Sequence, residues 1–312
     1  MEEVLTYKQI SRYDPTNTTV LRNAFSRDMK RRFQELIKVI RISVVDQDCF
    51  GLSRDGFILH QVTPPIGGAF DFLLDPGKIE AFMRWLSSQE GKSILSTTEM
   101  QQIGRGLNGA WINRYVLEAY KRGILKARQA LIRAGYTITP TQDFEGVQAL
   151  LGSSFHMDRL GLLYIRAFST LQGITSQMDA QISQILTQGI MSGEGSLLIA
   201  RKIIAAIDGT GMGTLGITDT LGRFIPAERR ALMLAKTEVI RAFHLATIQE
   251  YRNWGVEGVT VMAEWTTAGD DKVCPNCHTL EGKIFTLDEI EPMIPFHPNC
   301  RCIALPYIEN KK

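Results

Sequence analysis

Four of the chain's five cysteines and one histidine crowd a short stretch near its end: Cys274-Pro-Asn-Cys277, then His297-Pro-Asn-Cys300-Arg-Cys302. The fifth cysteine, Cys49, is remote in sequence. Thiols two residues apart can fold a tight turn that aims both sulfurs at one point. A second knuckle about twenty residues later can close a tetrahedron around zinc, because structural zinc sites take Cys₄, Cys₃His or Cys₂His₂ ligand sets. Here five donors compete for four places. The expected set is Cys274, Cys277, His297 and Cys300, with Cys302 as competitor and His278 as bystander. Four protein ligands leave no position for a water, so such a site adds folding energy and does no chemistry. Two alternatives stay open: two disulfides, for which nothing in the chain suggests an oxidising compartment, and reduced thiols in a hydrogen-bonded turn.

The knuckles must be held by something. After Gly255 the hydrophobic period changes to alternation, and Gly258 to Trp265 reads as a strand. Lys283-Ile-Phe285 and Ile303-Ala-Leu305 are candidate partner strands. The thiols would then lie in loops of a small antiparallel sheet, one too small for a sizeable core and so suited to a metal staple.

Upstream the period is helical. Leu21, Phe25, Met29, Phe33, Leu36, Ile40 and Val44 form one stripe on a long helix that starts near Asp14-Pro-Thr-Asn-Thr18. Its other faces carry Arg22, Arg27, Lys30, Arg31, Arg32, Lys38 and Arg41. A second long helix, 110 to 134, has Trp111, Tyr115, Val116, Ala119, Ile124, Ala127 and Leu131 on its apolar side and Gly135 as a left-handed cap. Arg114, Lys121, Arg122, Lys126, Arg128 and Arg133 repeat the basic pattern, which reads as a solvated face or a surface for phosphate or an acidic partner. Asp75-Pro76-Gly77 looks like another helix start. Met157 to Leu171 and Ile174 to Met191 are expected as two helices, Ser196 to Ile207 as a shorter one, and 226 to 253 as a strong one whose small residues permit close packing. Glu238 and Arg241 within it suggest a structural ion pair. Residues 1 to 17 read as an extended arm, and 49 to 69 and 137 to 144 as connections.

The fold class is therefore α+β: a mostly helical body with a small C-terminal antiparallel sheet carrying a Cys/His zinc knuckle. The expected domains are 1–140 (basic helices), 141–255 (helical) and 256–312 (the knuckle). At 312 residues with 44% hydrophobic, 22% charged and net charge +2, the composition argues against disorder and against a dedicated nucleic-acid coat. The first residues lack a basic and an apolar region, so no signal peptide is expected, and no stretch suits a membrane span. Gly209-Thr-Gly-Met-Gly-Thr-Leu-Gly216 contains G-x-G-x-x-G. A helix precedes it where a dinucleotide site needs a strand, so it reads as a loop.

Trp265-Thr-Thr-Ala-Gly-Asp-Asp271 through Cys274, Cys277, Gly282 and Phe285, followed by His297 to Cys302, resembles the C-terminal domain of Mu F-like phage minor head (head morphogenesis) proteins. Ala235-Lys-Thr-Glu238-Val-Ile-Arg241-Ala resembles the segment just upstream. The likeness covers about Pro226 to Pro306, and the basic helices are similar less specifically. It implies a virion component at the portal vertex, acting in head assembly or in handling DNA, with portal protein and capsid as partners and double-stranded DNA met through the basic helices. It brings no catalytic residues.

Two other functions compete. A metal-dependent nuclease could use His278, Asp270 or Asp271, but it needs a carboxylate or histidine cluster outside the structural set, and His60, His156 and His244 fall in unrelated segments. A deaminase fails because Val273, not Pro, precedes Cys274. A free-standing zinc-ribbon regulator would need a recognition element that the long helices do not offer.

Overall fold

The computed structural model describes residues 14–52, 77–97, 109–135, 146, 150–210, 218–219, 221–255 and 261–308. The expected arm before Asp14, most of the loop to residue 69, the Asp75-Pro76 cap, the 137–144 connection and Gly211 to Gly216 lie outside the described residues. The chain divides into two compact units. The first comprises Met1–Ser26, Met100–Ala167 and Met233–Lys312, the second Arg27–Glu99 and Phe168–Leu232.

Helix α1 spans Thr19–Arg41 and runs into a π-helical turn, Ile42–Asp46. Asp14 starts it by accepting from the Thr19 amide at 2.7 Å, which occupies one of the amides a helix start leaves unpaired. All seven residues of the expected stripe are buried. The basic faces are less uniform than the sequence suggests. Arg27, Lys30, Arg31, Lys38 and Arg41 are exposed, whereas Arg22 is buried and Arg32 reaches the Ser96 hydroxyl at 2.8 Å.

Helix α2 is Lys78–Lys92, with Phe82 and Leu86 buried. Helix α3, Asn113–Arg133, ends on Gly135 at φ +96°, the left-handed conformation glycine adopts without cost. Its apolar side is buried throughout. Its basic side is largely drawn inward: only Arg114 and Arg133 of the six cations are exposed. Arg122 pairs with Glu118 at 2.9 Å and also donates to the Asn17 carbonyl.

The two helices expected around Gly173 are one, α4, Ser154–Met191. A single exposed glycine costs a helix only about 1 kcal/mol, and the buried row Leu171, Ile174, Met178, Ile182 carries the backbone through it. Helix α5, Ser196–Asp208, stops at Gly209, φ +83°. Helix α6 is Ala227–Gly255. It comes very close to α3, as its small residues suggest: a Cβ on Gly123 would sit 2.2 Å from the Phe243 carbonyl oxygen and 2.8 Å from Ala246 Cβ. Glu238 pairs with Arg241 at 3.2 Å and with Arg166 at 3.6 Å, the structural role expected of it.

All three expected strands form: β1 Val261–Thr266, β2 Ile284–Phe285 and β3 Ile303–Ile308, antiparallel in the order β2-β1-β3. Ala263 faces Phe285 on one side and Pro306 on the other. Two single-turn helices interrupt them, α7 Pro275–His278 and α8 Leu287–Ile290. Val261, Ala263 and Trp265 point inward and pack with Leu131 of α3 and Ile240, Ile248 and Tyr251 of α6. The sheet thus borrows its core from helices of the first unit. Among the described residues, no helix is long and apolar enough to cross a membrane.

Candidate metal centre

Each sulfur owes its place to local chain chemistry. Cys274 is extended and caps α7, its Sγ accepting from the Cys277 amide at 3.3 Å, with Pro275 at the first helical position. The turn therefore points both sulfurs one way, which is what a C-x-x-C knuckle requires. The second knuckle turns at Asn299, φ +62°, where the Cys300 amide reaches back to the His297 carbonyl at 3.1 Å. Asparagine is among the few residues that accept this left-handed position. Cys302 immediately precedes β3. Arg301, between the two thiols, makes a two-pronged pair with Asp270 at 2.5 and 2.6 Å. That pair holds the Asp270 carboxyl below the usual carboxylate range.

The fold brings all five predicted donors together. Ligand atoms of Cys274, Cys277 and His297 lie within 4.8 Å of one another, as do those of Cys277, Cys300 and Cys302. Cys277 belongs to both groups. No disulfide joins any of them, and Cys49 lies in the second unit, buried, its thiol pushed up to about 12 by that burial.

The donor set fits a tetrahedral ion. His297 Nδ1 lies 2.8 Å from the Pro298 carbonyl and donates to it. That bond fixes the tautomer and leaves the Nε2 lone pair bare, the arrangement usual for a metal-ligating histidine. Nε2 then faces Cys274 Sγ at 3.3 Å and Cys277 Sγ at 3.2 Å. One lone pair accepts one S–H, so a second sulfur at the same distance has no proton to share. A cation among the three resolves the crowding, and ligands about 2.0–2.3 Å from zinc would lie at roughly such separations from each other. Burial raises the Cys277 thiol to about 12, and the Cys300–Cys302 hydrogen bond, with burial behind it, pushes Cys302 up and brings Cys300 down to about 5.

The remaining candidates stand apart from this centre. His278 and Asp271 are exposed and belong to no ligand cluster among the described residues. Asp270 is committed to Arg301. His244 is buried, its Nε2 3.1 Å from the Ile290 carbonyl, and burial lowers it to about 4. His156 is enclosed between the Tyr120 hydroxyl at 2.9 Å and Glu250 at 3.1 Å. Glu250 is also bonded to Arg128 at 2.9 Å. Sequence reasoning missed this network. Its members are scattered along the chain, and the single available hint, an acid on the strongly apolar side of α6, is weak.

The family described as Phage Mu protein F like protein matches residues 180–305. The match takes in the whole knuckle, β1, β2 and the first half of β3, and begins earlier than the likeness read from Pro226 onward, including the end of α4 and all of α5. Searches of curated proteins and of solved structures return no match.

Proposed function

We propose that the chain, a member of the Phage Mu protein F-like family through residues 180–305, is a structural head morphogenesis protein of a tailed phage. In this reading it is a virion part assembled in the host cytoplasm. It sits at the portal vertex, meets portal protein and capsid, and helps the head assemble and handle its DNA. The family match is the observation that carries this. The site supports it by what its side chains are occupied with: the donors crowd one another, Asp270 is held by Arg301, and His278 stands alone. A nuclease built there would lack its acid cluster.

DNA contact is the finest part of the proposal. The exposed cations of α1, Arg27, Lys30, Lys38 and Arg41, are its best candidates, since those of α3 are mostly turned inward. Phosphate contacts of this kind give sequence-independent binding that weakens steeply with salt.

Two measurements test the reading. The protein should sediment with procapsids and be present in purified virions, and heads made without it should be defective. Its absence from both fractions sinks the proposal. Cleavage of DNA in the presence of a divalent metal, abolished by His278→Ala, would replace it with the nuclease.

A further inference from the structure

We infer that one zinc ion is held by Cys274, Cys277, His297 and Cys302, and that Cys300, though adjacent, is not a ligand. Spacing alone favours Cys300, three residues after His297. Distance alone leaves the fourth place open, because neither Cys300 nor Cys302 joins Cys274, Cys277 and His297 in a single group within 4.8 Å. The shape of the site decides it. A hollow of about 20 Å³ opens between the knuckles, lined by Cys274, Cys277, His297 and Cys302 together with Lys272 and Arg301. Cys300 is absent from that lining. One water-sized probe needs about 10–15 Å³, so the hollow has room for a single small occupant. Three cysteines and one histidine are among the residues lining it, and together they offer a Cys₃His set, the soft mixed donor set zinc favours over magnesium or calcium.

The chain explains why the nearer thiol in spacing is not the one in place. The Cys300 amide closes the turn on His297, and burial does not separate the thiols, since Cys277, Cys300 and Cys302 share the apolar cluster with Ile290, Ile294 and Trp265; what separates them is the strand that follows. Two residues on, Cys302 stands at the threshold of β3, whose first residue Ile303 is paired with Thr266. Ligation by Cys302 ties the ion directly to the sheet. Ligation by Cys300 would tie it only to the loop.

The test uses the full-length chain, its zinc content measured by mass spectrometry and the site reloaded with cobalt(II) as a coloured probe. Wild type should carry one metal per chain, with the visible spectrum of a tetrahedral three-sulfur, one-nitrogen site. Cys300→Ala should keep both the stoichiometry and the spectrum. Cys302→Ala should weaken binding on the order of 100-fold or more, since loss of a direct ligand exceeds the 10- to 100-fold typical of outer partners. If that variant fails to fold, Cys302→His decides: it should bind cobalt with a spectrum shifted to two sulfurs and two nitrogens. The inference is overturned if wild type binds neither metal, if Cys300→Ala loses the ion, or if Cys302→His leaves the spectrum unchanged.

Discussion

Each compact unit holds a deeply buried acid, Glu250 in the first and Glu90 in the second, and the two are neutralised differently. In the first, positive charge does it. Glu250, fully buried, meets Arg128 and His156, and Asp270 meets Arg301. In the second, a proton does it. Glu90 is 2% exposed and its neighbour is another acid, Asp179. The results are opposite. Burial pushes Glu250 up, but its two partners outweigh burial and leave it below the ordinary 4.5. Burial and the Asp179 charge both push Glu90 up, to about 9, so at neutral pH it keeps a proton and donates it to Asp179. A buried carboxyl is thus tuned by its neighbours' charge, and depth alone does not set its state.

The largest break in that comparison should come from removing the ion. On the zinc inference, Cys274→Ser, or a strong chelator added to wild type, leaves buried thiols without a cation. Structural zinc contributes more than 10 kcal/mol in isolated fingers. Here the sheet shares its core with α3 and α6, so a loss of about 5 kcal/mol is expected. Trp265, fully buried in β1, reports it: its emission should move to the red at a lower temperature in the stripped protein. Identical melting with and without chelator would show that nothing in the first unit depends on a metal.

The second break reverses the sign. Glu90 has its folded-state value raised above the ordinary 4.5, so its contribution is fully present below 4.5 and is lost as pH rises toward about 9. At pH 7 the trapped proton costs about 3 kcal/mol, at 1.36 kcal/mol per unit. Glu90→Gln keeps the hydrogen bond to Asp179 and removes the titration. It should stabilise the protein by up to about 5 kcal/mol at pH 8 and by less than about 1 kcal/mol at pH 5. Urea unfolding at the two pH values checks this. An equal difference at both would mean that no proton is held between the pair. Glu250 should behave in the opposite way, its contribution present above 4.5 and lost as pH falls.

Much of this was legible in the chain and some was not, for physical reasons. The stripes of α1 and α3 repeat with the helical period and survive into the fold because each residue's burial follows from its neighbours three and four positions away. The sulfur donors declared themselves because rare side chains fell close together. The continuity of α4 through Gly173 was hidden, since the packing that offsets one glycine comes from elsewhere. The basic faces were overread at Arg22, Arg122 and Arg128. Counting cations along a helix says where each stem begins and not which carboxylate or carbonyl its tip will find. The pairs Glu90–Asp179 and Glu250–His156 join distant segments, so no window along the sequence contains both members.

The smallest effect sharpens the comparison at its edge. Asp270 and Arg301 flank the centre without being ligands, and Arg301 carries the backbone between Cys300 and Cys302. Asp270→Asn keeps the shape and one acceptor oxygen but removes the charge. Both side chains reach solvent, 10% and 19% exposed, so the stability cost should be only about 1 kcal/mol. The larger consequence is positional. Without the two-pronged clamp, Arg301 no longer fixes the direction in which Cys302 leaves the loop, and zinc affinity should fall about tenfold, as when an outer partner is lost. A competitive titration with a coloured chelator measures that loss apart from melting. Unchanged affinity with the 1 kcal/mol cost intact would make the Asp270–Arg301 pair a surface staple with no part in aiming the thiol.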